Sequence, residues 1–181
     1  MYEKSISSAN SKIEVLNQLL NFFWTILCFL PVLWYWVMRG PDSWLYGSII
    51  FSIICGLLPE GFFRLLQISQ SVRVYEKYGA KIIRKFVQQG DMINRLFRQQ
   101  YPGRKVIRDA SQAKNYLKTI AMYERYHFMC FLFFLSTAMH SLFAHRFLFA
   151  LLITIGNVLY NICPIFLQQY NRLRVRRLLK K

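Results

Sequence analysis

Apolar residues in this chain come in long unbroken blocks rather than at single positions, and the blocks set the element lengths. Leu19 to Met38 runs twenty residues with one Asn, one Thr and no charge, enough helix to cross about 30 Å of hydrocarbon. Pro31 inside it is expected to bend the helix rather than end the span, because neighbouring helices can satisfy the freed carbonyl. Arg39-Gly40-Pro41-Asp42-Ser43 then reads as a compact turn. Trp44 to Phe63 forms a second block, interrupted near its end by Pro59 and Glu60. Tyr126 to Ala144 is a third and Phe147 to Leu167 a fourth, with His145 and Arg146 between them. The pattern predicts an all-α polytopic membrane protein, one domain over residues 1–181, with four spans at about 19–38, 44–63, 126–144 and 147–167.

The polar stretch at about 68–118 has a different period. Val72, Tyr75, Gly79, Ile82, Ile83 and Phe86 recur at helical spacing, while Arg73, Lys77, Lys81, Arg84 and Lys85 fill much of the remaining surface. That pattern predicts an amphipathic helix in the membrane interface, its basic face toward anionic lipid headgroups. Gly90-Asp91 reads as a turn and N-cap, followed by a short helix with Met92, Ile93, Leu96 and Phe97 on one side. Tyr101-Pro102-Gly103 turns the chain again. From about Ser111 a helix is expected to run unbroken into the third span.

Composition sharpens this picture. The 181 residues are 55% hydrophobic and carry a formal charge of +16, from 24 Lys and Arg against 8 Asp and Glu. The aromatic content excludes a disordered basic tail. The apolar blocks argue against a soluble nucleic-acid binder, which so large a positive charge would otherwise suggest. Of the 24 cations, 21 lie in residues 1–18, 68–125 and the tail after Tyr170. By the positive-inside rule both termini and the middle segment are expected to be cytoplasmic, in the cell membrane. A cleaved secretory signal is not expected, because the first apolar run begins late, is too long for a signal core and lacks a small-residue cleavage site. Cys28, Cys55, Cys130 and Cys163 all fall inside the expected spans, which suits free thiols packed among helices better than disulfides or a zinc site.

Candidate chemistry lies where polar groups interrupt apolar faces. Leu117, Ile120, Glu124 and His127 form a stripe entering the third span. A carboxylate three residues before an imidazole can orient the ring and raise its basicity. The same spacing suits a structural pair that caps the bundle or meets Arg64 or Arg125. A Glu-x-x-His is also half of a di-iron site, but the second copy and further glutamates that site needs are missing from the sequence, so no metal is expected. On the fourth span Thr154, Asn157, Asn161 and Gln168 fall near one face at about 100° per residue, with Asn171 and Arg172 just beyond. Interhelical hydrogen bonding accounts for Asn157 alone. The run from Asn161 to Arg174 is denser than helix adhesion requires. Glu60 and Arg64 read as an i, i+4 pair, and His140 and His145 receive no chemistry. The polar groups converge at the basic end, an arrangement suited to an amphiphile with its headgroup at the mouth and its chain in lipid.

The tail Pro164-Ile-Phe-Leu-Gln168-Gln-Tyr170-Asn171-Arg172-Leu-Arg174 resembles the signature Pro-x-x-x-Gln-x-Tyr-Asn-Arg-x-Arg that closes the last span of the small membrane glycosyl-diaponeurosporenoate acyltransferases of staphyloxanthin-type carotenoid synthesis. Glu124 and His127 match that family's Glu-x-x-His. Pro59 with Phe63, and Tyr75-Glu76-Lys77-Tyr78-Gly79, are similar to two of its weaker motifs. The resemblance covers roughly residues 57–181. Departures occur at Arg84 to Arg95 and in the spacing of Thr119 to Glu124. The resemblance implies transfer of a fatty acyl group to a hydroxyl of a membrane-embedded glycosylated isoprenoid or related glycolipid. In that reading His127 is the general base, oriented by Glu124. Asn161, Gln168, Tyr170, Asn171, Arg172 and Arg174 bind substrate, with Asn161, Gln168 or Arg172 stabilising the oxyanion or positioning the donor. No resident cofactor is expected; the donor is a thioester of coenzyme A or of an acyl carrier protein. A Gly-x-Ser-x-Gly elbow is missing and the cysteines are apolar, so direct transfer is favoured over a covalent intermediate. The competing class is a non-catalytic membrane interaction or lipid-binding module, or another lipid- or isoprenoid-modifying transferase.

Overall fold

The structure, a computed structural model, describes residues 2–86 and 109–179. The described residues are helical and loop throughout. Helix α1 spans Tyr2–Arg39 and continues through Pro31. Gly40, at a φ of 81°, makes the left-handed turn that follows, where a Cβ would be strained. Asp42 then caps α2 (Ser43–Gly56), its Oδ1 accepting the Leu45 N–H at 3.1 Å. Helix α3 is Glu60–Leu65, α4 Val72–Lys77 and α5 Ala80–Phe86. Helix α6, Ala110–Phe143, starts at the Asp109 cap, whose Oδ1 accepts Gln112 N–H at 2.8 Å. Helix α7 (Phe147–Asn157) passes through a π-helical turn, Val158–Ile162, into α8 (Cys163–Leu179).

Three helical stretches are long and apolar enough to cross a membrane: Val15–Arg39, Ala110–Phe143 and Phe147–Leu179. The four expected spans are thereby corrected to three. The expected second span, 44–63, is two helices and not one. Helix α2 ends at Gly56, and its 14 residues reach only about 21 Å, short of the ~30 Å core. Pro59 stops continuation, since it has no N–H to offer the ladder, and it stands in extended backbone as the N-cap of α3.

Helix α6 is the centre of the bundle, packed against α2, α7 and α8, while α1 lies mainly along α7. Two glycines set the closest approaches. At Gly56 a Cβ would collide with the Met129 side chain, and at Gly156 it would lie 3.1 Å from the Cys28 carbonyl oxygen. At the end carrying the 40–42 and 144–146 turns, Cys28, Val32, Tyr35, Trp36, Phe134, Ala138 and Ile153 form one buried cluster. Outward, Phe22, Ile26, Leu30, Leu33 and Val37 are exposed along α1, as are Ile50, Phe51 and Ile54 on α2. The inversion follows from the solvent: in lipid an outward Leu gains nothing by moving inside, so small residues and hydroxyls fill the helix contacts. Ser48 Oγ, 2.6 Å from Ser136 Oγ, joins α2 to α6, and Trp36 Nε1 donates to Thr137 Oγ1 at 3.2 Å. All four cysteines are free thiols.

The stretch expected as one interfacial helix breaks at Gly79, whose φ is +92°. Its apolar face is also turned toward protein. Val72, Tyr75 and Ala80 are buried against Leu167, Tyr170 and Leu173 of α8. The further helix expected around Met92, Ile93, Leu96 and Phe97, and the flanking turns, lie outside the described residues.

Candidate functional site: a polar-ended cleft between α3, α6 and α8

An apolar cleft enclosing about 610 Å³, part of it open to the surroundings, runs between α3, α6 and α8. Phe63, Phe128, Phe131, Ile162, Ile165 and Phe166 make its walls; Glu124 and Gln169 are the polar groups facing it. Its almost wholly apolar lining suits an acyl or isoprenoid chain segment rather than a sugar. Its polar end is a fully committed network. Arg172 forms an ion pair with Glu124, with side chains only 6% and 3% exposed respectively. Gln169 Nε2 donates to Glu124 Oε1 at 3.3 Å and to the Leu66 carbonyl at 3.1 Å. Gln169 Oε1 accepts from the Tyr75 hydroxyl at 2.9 Å and from the Ile68 N–H at 3.1 Å. Tyr75, wholly buried, accepts in turn from Ser69 N–H at 3.1 Å; burial pushes its phenol pKa up. One amide thus ties α8, α6, α4 and the 66–69 loop together.

A second layer surrounds this network. The Tyr170 hydroxyl donates to Glu76 Oε1 at 3.1 Å, and Lys81 pairs with Glu76 at 3.0 Å. Lys81 and then Tyr170 hold the Glu76 carboxyl below the usual carboxylate range. Arg174 is exposed and lies over the Tyr170 ring, 5.4 Å from its centroid.

Glu124 and His127 occupy consecutive turns of α6 but face different partners. Glu124 is taken up by Arg172 and Gln169. The His127 ring meets Tyr126 and Tyr160 edge-on, at 5.2 and 5.5 Å, beside the Asn161 side chain and the Tyr160 carbonyl. His127 Nδ1 and Asn161 Oδ1 are both buried without a hydrogen-bond partner. The Tyr160 carbonyl is available to the ring for a covalent reason: four residues on stands Pro164, which has no N–H to bond it. The other side of Asn161 is spoken for, its Nδ2 donating to Asn157 Oδ1 at 2.8 Å, and Asn157 Nδ2 donating to the Phe131 carbonyl at 3.1 Å.

The polar stripe of the last span is rearranged relative to the even 100° expectation. Thr154 faces outward and bonds its own helix, to the Ala150 carbonyl at 2.7 Å. Asn157 and Asn161 are buried. Beyond them the π-helical turn adds a residue to the turn, so the phase of α8 lags, and Gln169 is buried, 1% exposed, where even spacing points to Gln168. Gln168 and Asn171 are half-buried, and Tyr170 and Arg172 are buried. Gln169 is the residue that even spacing misses, and helical spacing marks Tyr75 as apolar-facing without revealing its hydroxyl's bond to Gln169; Pro164 four residues after Tyr160 is the signal that the phase changes.

A bundle of helices with an outward apolar face, three stretches of which are long and apolar enough to span, defines a helical membrane protein, with a cleft closed by an ion pair between its helices. The chain belongs to the glycosyl-4,4'-diaponeurosporenoate acyltransferase family, whose model matches residues 59–181. It is accordingly a membrane transferase, an acyltransferase of the kind acting in carotenoid glycolipid modification. No curated protein and no solved structure matches the chain.

Proposed function

We propose that this protein transfers a fatty acyl group from a thioester, of coenzyme A or of an acyl carrier protein, to a hydroxyl of a membrane-embedded glycosylated isoprenoid or related glycolipid. The observation carrying this reading is the apolar cleft ending at Glu124, Gln169 and Arg172, in a chain of this family. The acyl chain occupies the cleft. His127 takes the proton of the acceptor hydroxyl at its unpartnered Nδ1 as the oxygen bonds to the acyl carbon; the carbon–sulfur bond breaks and the thiolate leaves with that proton. The guanidinium N–H groups of Arg172 that do not face Glu124 stabilise the developing oxyanion, while Gln169, both of whose amide hydrogens are already donated, holds the network around them. Asn161 lies beside the imidazole, while Glu124 holds Arg172 and Gln169 in place. Gln168, Tyr170, Asn171 and Arg174 bind the polar part of the substrates. No resident cofactor or metal enters this chemistry. The clustering of 21 of the 24 cations supports a topology with both termini and residues 68–118 on the cytoplasmic side of the cell membrane; with three long spans, this topology requires the short helices α2 and α3 to bring the chain back between the first and the second.

The test is acyl transfer by purified protein to a glycosylated isoprenoid, with products read by mass spectrometry. His127→Ala should lower the rate by at least about 10²-fold while leaving membrane insertion and micelle-exclusion profile unchanged. Undiminished transfer by this variant would remove His127 from the reaction. Lipid extracts that are identical with and without the chain would favour the non-catalytic module instead.

A further inference from the structure

Among the described residues, three guanidiniums, of Arg64, Arg172 and Arg176, lie near one another at the polar end of the cleft, and a fourth, of Arg125, lies against its wall. Arg64 lies in sequence between the cleft-lining Phe63 and Leu66, with its side chain 60% exposed and 3.0 Å from Glu60. Arg125 sits over the Phe63 ring, 5.0 Å from the centroid, and donates to the Gly56 carbonyl at 3.4 Å. Arg172 is spent on Glu124. Arg176, one turn further along α8 and half-buried, is close enough, as is Arg64, for its charge to act on Arg172. The charges of Arg172 and Arg176 both act on Glu60 as well. Among the described residues, the carboxylates of Glu60 and Glu124 stand against these four cations, a surplus of two positive charges at the mouth of an apolar cleft. Glu60 is the weaker tie. Its pair with Arg64 is an exposed i, i+4 contact, readily exchanged for a better ligand. Guanidiniums fit phosphate oxygens with paired, charge-assisted hydrogen bonds.

We propose that Arg64 and Arg176, with Arg125 at the edge, form a subsite for the phosphate group of the acyl-bearing amphiphile whose chain lies in the cleft. The placing of an acyl chain there rests on the acyltransferase reading; the phosphate subsite rests on the arginine cluster. Two sources share this chemistry, the phosphate of a phosphopantetheine thioester and that of a phospholipid headgroup. Equilibrium binding to the full chain in dodecylmaltoside, a detergent without phosphate, separates them. Palmitoyl-phosphopantetheine is compared with palmitoyl-pantetheine, and dipalmitoyl phosphatidic acid with dipalmitoylglycerol. For the true source the phosphate should strengthen binding about tenfold. Arg64→Gln/Arg176→Gln should abolish that advantage and leave the phosphate-free affinity in place, and Arg64→Lys/Arg176→Lys should keep part of it. A thioester-only advantage assigns the subsite to the donor's phosphopantetheine, and a lipid-only advantage to a headgroup. No advantage in either pair, or one that survives the double Gln variant, overturns the proposal. Transfer from palmitoyl-pantetheine alongside such a negative result would sink the subsite and leave the acyltransferase reading standing. Arginine-dependent binding without transfer to any glycosylated acceptor would do the reverse.

Discussion

Replacing Arg172 by Met removes one partner of the buried ion pair and leaves the Glu124 carboxylate with Gln169 alone as donor. Both side chains are almost fully enclosed, so neither water nor lipid headgroup can compensate the stranded charge. Breaking a pair so placed costs about 3–5 kcal/mol. For a chain of this size, at roughly 2–4 °C per kcal/mol, that is a fall of about 10 °C in the unfolding midpoint in detergent. The second arm of the cycle removes both charges. In Glu124→Gln/Arg172→Met the amide keeps an acceptor for Gln169 and nothing charged remains buried, so most of the stability should return while acyl transfer does not. Thermal unfolding by intrinsic fluorescence, run beside the transfer assay at a temperature where all variants are folded, separates the two effects. An Arg172→Met variant within about 1 kcal/mol of the parent, or a double variant as unstable as the single, would refute the claim that this pair holds the cleft together.

The remaining expectations concern other parts of the fold. Gly156→Ala sets a Cβ 3.1 Å from the backbone oxygen of Cys28, which cannot rotate away, so α1 and α7 must part and stability should drop by about 1–3 kcal/mol; an unchanged midpoint would contradict the close crossing. His145 has a φ of 56° in the turn after α6, where Arg146 N–H returns to the Ser141 carbonyl at 2.8 Å, so His145→Gly should stabilise by about 1 kcal/mol, and destabilisation would show that its side chain matters. The Glu76 pKa is lowered from its ordinary 4.5 by Lys81 and Tyr170. Its contribution to stability is therefore present above that value and lost as pH falls through the lower folded-state pKa. Lys81→Met should move the Glu76 carboxyl titration, followed by NMR, upward, and an unmoved titration would remove the attribution.

The apolar blocks carried the three long helices, because block length and absence of charge are summed properties that survive any packing. They did not carry the end of α2. Leu57, Leu58, Phe62 and Phe63 add to the apolar sum on both sides of Pro59 and conceal that the hydrogen-bond ladder stops there. The helical spacing of Val72 and Tyr75 correctly marked a buried face, but spacing cannot say whether lipid or protein covers it; Leu167, Tyr170 and Leu173 do. Glu124, Asn161 and Arg172 were legible as polar groups in apolar surroundings. Their pairing was not, since the nearness of Glu124 to His127 in sequence says nothing of a guanidinium arriving from α8.

The π-helical turn at Val158–Ile162 makes the inner mouth depend on counting as well as on chemistry. Wound as a regular α-helix with its length kept, the turn would rotate α8 by about 100°, carrying Gln169 and Arg172 off Glu124 together though neither had been altered. Substitutions in this region are local events. What sets the address of every group downstream is the match between the number of residues from Asn157 to Pro164 and the winding they adopt, so that match is as much a part of the site's specification as any side chain in it.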